Sequence, residues 1–362
     1  MKVLFLSIVP SPYQRDLFAC LHSLEEISLQ VRYAEAGSPD SPWPEASLAS
    51  YEKVYRSFYL SWRGKRFIVN RQLPALEGYD AVVLNGYVTV PAQWVMRFAA
   101  HRVPLIFWGE KLERAQGGLR EKMQKVLTGP MRNLAAIVAI GKKARRDYEE
   151  RFPGIPVYEV PYYCRIDAFR EELPARPRKP VRILFCGQMI RRKGVDLLLA
   201  AFAGLVEDGL DVHLRLVGRE AELPEMMQGV DTEVRKRIEF AGFQPPETLP
   251  RFFAEADIFV LPSRYDGWGV VVNQALGAGL PVVCSDAVGA AEDLVEPEKN
   301  GYIFPSEDVP ALRDCLSRLA GSAERVRAFG ARSLAKSEAI TPSQGARDWL
   351  AILKKVTEEG RR

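Results

Sequence analysis

Asp266 and Lys193 each lie where a parallel α/β chain offers its backbone to a ligand. Asp266 belongs to Pro262-Ser263-Arg264-Tyr265-Asp266-Gly267-Trp268-Gly269-Val270, between the apolar run Ile258–Leu261 and a helical stretch, Val270–Ala278. Gly267 and Gly269 allow close backbone approach, and the amides of Trp268 to Val271 open a helix whose N-terminus favours phosphate. Gln274 follows Asp266 by eight positions, about one turn into that helix. Two polar side chains bracketing such a turn could bind the hydroxyls of a sugar nucleotide. On spacing alone, a turn aspartate and a partly solvated helix face explain the pair at least as well. Lys193 closes the triplet Arg191-Arg192-Lys193, after Gly187 and Gln188 at a strand end and before Gly194. Three cations there would neutralise a diphosphate, although a basic loop is more often a solvated surface.

The elements that must position these residues are short β-rich apolar runs alternating with helix-period segments. Strands are expected near Val3–Ile8, Leu29–Tyr33, Ala81–Leu84, Leu105–Trp108, Ile137–Ile140 and Val157–Val160. A second series runs Arg182–Cys186, Val212–Val217, Ile238–Phe240, Ile258–Leu261 and Pro281–Cys284. Helices are expected at Gln93–Ala100, Lys143–Arg151, Val195–Val206 and Val270–Ala278. The alternation predicts parallel sheets built from βαβ units. A Pro-rich, charge-alternating stretch, Glu171–Pro180, reads as a linker between the halves. Thr341-Pro342-Ser343-Gln344 reads as a capping box ahead of a helix carrying Trp349, Leu350, Leu353 and Val356 at helical spacing.

The 362 residues suffice for two domains. Five scattered cysteines without Cys-x-x-Cys spacing argue against a disulfide scaffold or zinc cluster, and three histidines show no ligand spacing. No run of about 18 apolar residues is present, and Val3–Val9 lacks the marks of a signal peptide. The net charge of +4 hides an asymmetry: residues 1–178 hold 26 Lys+Arg against 19 Asp+Glu, and the remainder 24 against 27. The basic half is expected to meet something anionic, but neither half has the balance of a nucleic-acid binder. Within it, Lys111–Arg132 carries Lys111, Arg114, Arg120, Lys122, Lys125 and Arg132 against Glu113 and Glu121. Leu119, Met123, Val126 and Leu127 recur there at helical spacing. Such a segment either packs its stripe into the core or lies on anionic lipid.

The Ile258–Val283 segment, closing in Gly277-Ala278-Gly279-Leu280-Pro281-Val282-Val283, resembles the donor-binding region of family 4 glycosyltransferases. That family has Glu-Gly-aromatic-Gly with a second Glu eight positions on; Asp266 and Gln274 stand at those places. The resemblance covers residues 180–305 well and the first half thinly. It implies a GT-B fold, two Rossmann-like doubly wound α/β domains facing a cleft. The domains would be 1–168, joined by the helix 342–360, and 181–341, with 169–180 as linker. It implies that Asp266 and the backbone of Gly267, Trp268, Gly269 and Val270 hold the transferred sugar, and Gln274 the ribose. Lys193 matches the family's diphosphate-binding lysine. Gln188 replaces an arginine, leaving Arg191 or Arg192 to supply the second charge. Gly187, Gly218 and Phe243 fall at further strand ends of the donor side, Phe243 near the base.

In the first half, Pro12, Tyr13 and Arg15 follow the first strand, where the family's acceptor-side loop lies. Glu110 stands where many relatives carry a histidine; a solvated helix start explains it equally well. The implied reaction retains anomeric configuration, with the departing phosphate deprotonating the acceptor hydroxyl. The absence of any Asp-x-Asp motif argues for chemistry without a metal, and no cofactor beyond the nucleotide-sugar donor is expected. The acceptor would be a glycan or lipid-linked sugar of cell-surface polysaccharide or glycolipid synthesis. The setting would be cytoplasmic, with docking on the inner membrane face. A nicotinamide dehydrogenase is disfavoured because no Gly-x-Gly-x-x-Gly follows a predicted strand. A non-catalytic nucleotide-sugar-binding relative is the alternative raised by Gln188 and Gln274.

Overall fold

The structure, a computed structural model, describes residues 1–37, 47–62, 65–113, 117–170 and 178–359, without the side chains of residues 60–67. Arg114 and residues 171–177 of the expected linker lie outside the described residues. The chain forms two units, Met1–Cys164 with Pro342–Arg362, and Arg165–Thr341. The division falls a few residues before the boundary expected at 168. Phe169 meets Phe253 edge-on at 5.2 Å, and Ile166 covers Gly277 so closely that a Cβ there would lie 2.8 Å from its own. Both contacts tie this stretch to the second unit.

Unit 1 is built on strands β1 (Lys2–Ser7), β2 (Ser28–Tyr33), β3 (Glu52–Val54), β6 (Ala81–Leu84), β7 (Leu105–Gly109), β8 (Ala136–Ala139) and β9 (Val157–Glu159). They form one parallel sheet in the order β3-β2-β1-β6-β7-β8-β9. The strands β6, β7 and β8 are buried along their whole length, which is why they read as unbroken apolar runs. Between β3 and β6 an antiparallel hairpin, β4 (Ser57–Trp62) and β5 (Lys65–Asn70), adds a pair the periodicity did not announce. The Pro342–Glu359 helix buries Trp349 completely, against Phe5 at 5.3 Å and Trp108 at 5.5 Å, and Tyr163 donates to Asp348 at 3.0 Å. Truncating a tryptophan buried in this way costs about 3–5 kcal/mol. That burial makes the last helix part of unit 1.

Unit 2 has six parallel strands: β10 (Val181–Cys186), β11 (Val212–Val217), β12 (Ile238–Phe240), β13 (Ile258–Leu261), β14 (Val282–Ser285) and β15 (Gly301–Phe304). Their order is β12-β11-β10-β13-β14-β15. The chain therefore winds one way from β10 and the other way from β13. Loops leaving the carboxyl ends of two such strands diverge and open a crevice, the usual ligand position in a doubly wound sheet. The same reversal occurs in unit 1 between β1 and β6.

Candidate functional site

The loops after β10 and β13 are locked together before any ligand is considered. After β10, residues Arg191–Lys193 form a single 3-10 turn that ends at Gly194, whose φ of +71° is left-handed. A Cβ on Gly194 would lie 2.0 Å from the Pro262 carbonyl oxygen, so only glycine lets the two loops approach this closely. Arg264 then binds the turn from the other side. Its amide donates to the Arg192 carbonyl at 2.8 Å and its guanidinium to the Arg191 carbonyl at 2.6 Å. The same guanidinium takes Asp196 with two nitrogens, at 2.6 and 2.8 Å, and Glu307 at 2.9 Å. Burial alone would raise the Asp196 carboxyl, but its hydrogen bonds from Arg264 outweigh that and hold it below the ordinary range. Arg192, whose side chain reaches the Tyr265 carbonyl at 2.9 Å, closes the clasp.

This clasp brings the two sequence-predicted charges into contact. The Lys193 ammonium donates to the Asp266 carboxylate, with both side chains largely shielded at 17% and 12% exposure. Seventy-three residues apart in sequence, they share one site. Beyond them the chain turns through Gly269, whose φ is +90°. A Cβ there would press Leu261 and Val288 at 3.0 and 3.1 Å, so the turn is closely packed as well as left-handed. The helix itself starts at Val271 rather than Val270 and ends at Gly277. Trp268 is buried, its indole nitrogen donating to Asn273 at 2.9 Å, so its ring belongs to the core and only its backbone can face a ligand. In this segment two buried polar atoms, Gln274 Oε1 and Ser263 Oγ, have no hydrogen-bond partner among the described residues. Such atoms are costly unless something donates or accepts there.

The other residues that the resemblance assigns to the donor side lie at or after the carboxyl ends of β10, β11 and β12. The amide of Gly187 donates to Val217 and that of Gly218 to Gly242, both at 2.9 Å, which stitches three strand ends together. Gln188 is half-buried next to Gly187, and Phe243 is 47% exposed with the Arg219 guanidinium 5.9 Å from its ring centre. Cys186, at the end of β10, has its thiol pushed up to about 12 by burial, with Lys193 pulling the other way. Among the described residues no group of three or more His, Cys, Asp or Glu is arranged to hold a metal.

The strand ends of unit 1 carry a different chemistry. Ser7 donates to Gln14 at 2.9 Å, Gln14 to Asn85 at 2.8 Å, and Asn85 to the Trp108 carbonyl at 3.0 Å. The Tyr13 ring meets Tyr162 at 4.8 Å, and burial, with Glu110 and Tyr13 close by, pushes the Tyr162 hydroxyl far up. Pro12 starts the first helix, and Glu110 lies in the loop after β7, far from the next helix start at Gly118. Glu110 is therefore not a helix start; its carbonyl accepts from Tyr148 at 2.5 Å. Arg15 is engaged in a strut: its guanidinium holds the buried Glu52 at 2.8 and 3.0 Å, where Tyr33 also donates at 2.7 Å. Sequence reasoning did not single out Arg264, Asp196, Gln14 or Asn85. Each acts through a distant partner, a relation that spacing does not display.

Comparison with known proteins bears on this geometry. Residues 180–322, which include both loops, match the family described as "Glycosyl transferases group 1". The chain is 25% identical over 331 residues to a phosphatidyl-myo-inositol mannosyltransferase of Mycobacterium leprae, covering 86% of this chain and 84% of the relative. Over residues 180–322 the chain is thus similar to group 1 glycosyltransferases. A second match, to an alpha-D-kanosaminyltransferase of Streptomyces kanamyceticus, is 26% identical over 202 residues and spans 52% of each chain. Several matches thus cover about half or less of the relative's length. The fold matches sucrose-phosphate synthase from Thermosynechococcus elongatus with a TM-score of 0.75 at 17% identity, over 99% of this chain and 100% of that one. The architecture is accordingly GT-B, with two Rossmann-like domains.

Proposed function

We propose that the chain transfers a sugar from a nucleoside-diphosphate sugar to a glycan or lipid-linked acceptor, with retention of anomeric configuration. The observation that carries this reading is the meeting of Lys193 with Asp266 beneath the carboxyl ends of β10 and β13. Lys193 binds the donor diphosphate and, with Arg192, stabilises charge as the nucleotide departs. That contact draws the ammonium away from Asp266, whose carboxylate is then free to accept from a hydroxyl of the transferred sugar. The backbone of Gly267 to Val270 lines the same turn. Gln274 Oε1, buried and without a partner among the described residues, accepts from the ribose. The departing phosphate takes the proton of the acceptor hydroxyl, so no separate strong base is required.

The reading includes a reaction that proceeds without a metal, supported by the lack of Asp-x-Asp and by cations placed where the leaving charge develops. The acceptor belongs to unit 1, where Tyr13, Tyr162 and the neutral Ser7–Gln14–Asn85 network suit a polyhydroxylated ligand. Incubation with UDP-, GDP- and ADP-sugars, with and without EDTA, tests the reading. Slow release of nucleoside diphosphate from one class of donor, within about two-fold in EDTA, is expected. Tight nucleotide binding with no release from any donor, even with glycan acceptors present, would favour a non-catalytic binding protein. The substitution of Gln274 for a family glutamate motivates that second reading.

A further inference from the structure

The Gly118–Thr128 helix of unit 1 faces the opposite way from an ordinary surface helix. None of its residues is buried. Its half-buried positions are Glu121, Gln124, Leu127 and Thr128, mostly polar. Leu119, Met123 and Val126, on one face at i, i+4 and i+7, are 74%, 51% and 65% exposed. The expected apolar stripe thus points outward, and polar bonds hold the inner side. Gln124 donates to the Glu113 carbonyl at 2.6 Å, and Gln93 to the Leu127 carbonyl at 2.9 Å. On the adjoining Val90–Phe98 helix, Arg97 reaches the Val126 carbonyl at 3.1 Å, and the neighbouring Phe98 is 59% exposed. Clustered exposure of large apolar side chains marks a surface that is covered in use.

We propose that this face docks on an anionic lipid surface, with Leu119, Met123 and Val126 entering the acyl boundary and Arg120, Lys122 and Lys125 meeting headgroup phosphates. Charge selects this occupant. Unit 1 holds 27 Lys+Arg against 19 Asp+Glu, whereas unit 2 holds 23 against 27, so the excess lies in the unit that carries the apolar face, and within the helix Arg120, Lys122 and Lys125 outnumber Glu121, which pairs with Lys125 at 2.6 Å. A second copy would bring like charges together around the same three side chains. Basic residues flanking an apolar helical face bind anionic membranes by combining shallow insertion with headgroup attraction. Among the described residues no helix is long and apolar enough to span a membrane, so attachment would be peripheral. The inference does not depend on the donor chemistry proposed above.

Flotation of the full chain with phosphatidylglycerol–phosphatidylcholine vesicles, and with phosphatidylcholine alone, tests it. The protein is expected to float with the anionic vesicles at low salt and to stay behind with neutral ones. Leu119→Ser with Met123→Ser and Val126→Ser is expected to weaken partitioning about ten-fold, the scale of losing three shallow apolar anchors. Lys122→Glu with Lys125→Glu is expected to abolish flotation. Far-ultraviolet circular dichroism and calorimetric nucleotide binding should stay unchanged in both variants. Absence of flotation by the wild-type chain, or equal flotation of the triple variant, would overturn the proposal. So would a lipid-free dimer by light scattering that the triple variant converts to monomer, because the face would then be a self-interface.

Discussion

The two units share one architecture and place their loops at the same kind of strand reversal, yet they furnish those loops differently. In unit 2 the strand ends are occupied by paired charges: Lys193 with Asp266, and Arg264 with Asp196 and Glu307. In unit 1 a neutral network of Ser7, Gln14 and Asn85 and two tyrosines stands close to Glu110, and the Arg15–Glu52 ion pair serves as a brace. A lattice of charges that neutralise each other can exchange partners with an incoming diphosphate. A lattice of amides and hydroxyls offers both donors and acceptors, which suits a neutral polyol. On the proposed reading, the same fold would separate an anion-exchanging end from a hydroxyl-reading end through loop chemistry.

The sharpest way to break this contrast is at Asp266. Asp266→Asn should lower sugar transfer at least about a hundred-fold, the scale of losing one preorganised polar group in an active site. Binding of free nucleoside diphosphate should change less than about three-fold, because Lys193 remains. Calorimetry beside a coupled transfer assay checks this, and parallel losses would make Asp266 a mere partner that positions Lys193. Next in size is Arg264→Ala, which removes the clasp and leaves Asp196 without its partner. It should destabilise unit 2 by about 2–3 kcal/mol, the range for losing charge-assisted hydrogen bonds, visible as an earlier thermal transition that the Trp349 region of unit 1 does not share. A single unchanged transition would show that Arg264 is not what joins the two loops.

The brace in unit 1 has its own signature in pH. Burial alone would raise the Glu52 carboxyl, but bonds from Arg15, Tyr33 and the Ala49 amide overcome this and hold it below the ordinary 4.5. A depressed folded value stabilises the protein above the unfolded value, and that contribution fades as pH falls below 4.5 through the folded one. Glu52→Gln should cost about 2 kcal/mol at pH 7. Its melting temperature should then converge on that of the wild type as both are acidified below that value. A constant gap down to low pH would remove the ionised carboxylate from the account. The smallest effect is expected at Tyr13. Tyr13→Ala should raise the KM for acceptor several-fold while leaving nucleotide affinity alone; a weakened nucleotide would move that ring to the donor side.

These contrasts were unequally legible in the sequence. The strands Val181–Cys186, Val212–Val217 and Ile258–Leu261 were visible because they are short, largely buried apolar runs, the first two followed directly by glycine, whereas Gly301–Phe304 was not expected as a strand. Lys193 and Asp266 were visible because their flanking glycines mark where a backbone must turn sharply. The hairpin Ser57–Asn70 was not, since its aromatic and basic residues alternate too loosely to favour a strand. Arg264 and Asp196 were hidden because their importance arises from a contact, 68 residues apart, between a loop and the first turn of the Val195–Glu207 helix. The Gly118–Thr128 helix was expected, but the sequence left open whether its stripe faces the core or the outside. Periodicity shows that a helix has an apolar face, and only packing decides which way that face points.

Calorimetric titration of nucleoside diphosphate into the wild type and Lys193→Ala tests the central claim most directly, namely that the charged loops of unit 2 are the donor site. The charge-assisted contact is worth about 1.5–3 kcal/mol, so affinity should fall by about ten-fold or more in the folded variant. The loss should shrink at high salt, as expected for an exchange among charges. Affinity unchanged by Lys193→Ala, in a variant with wild-type circular dichroism, would contradict the account.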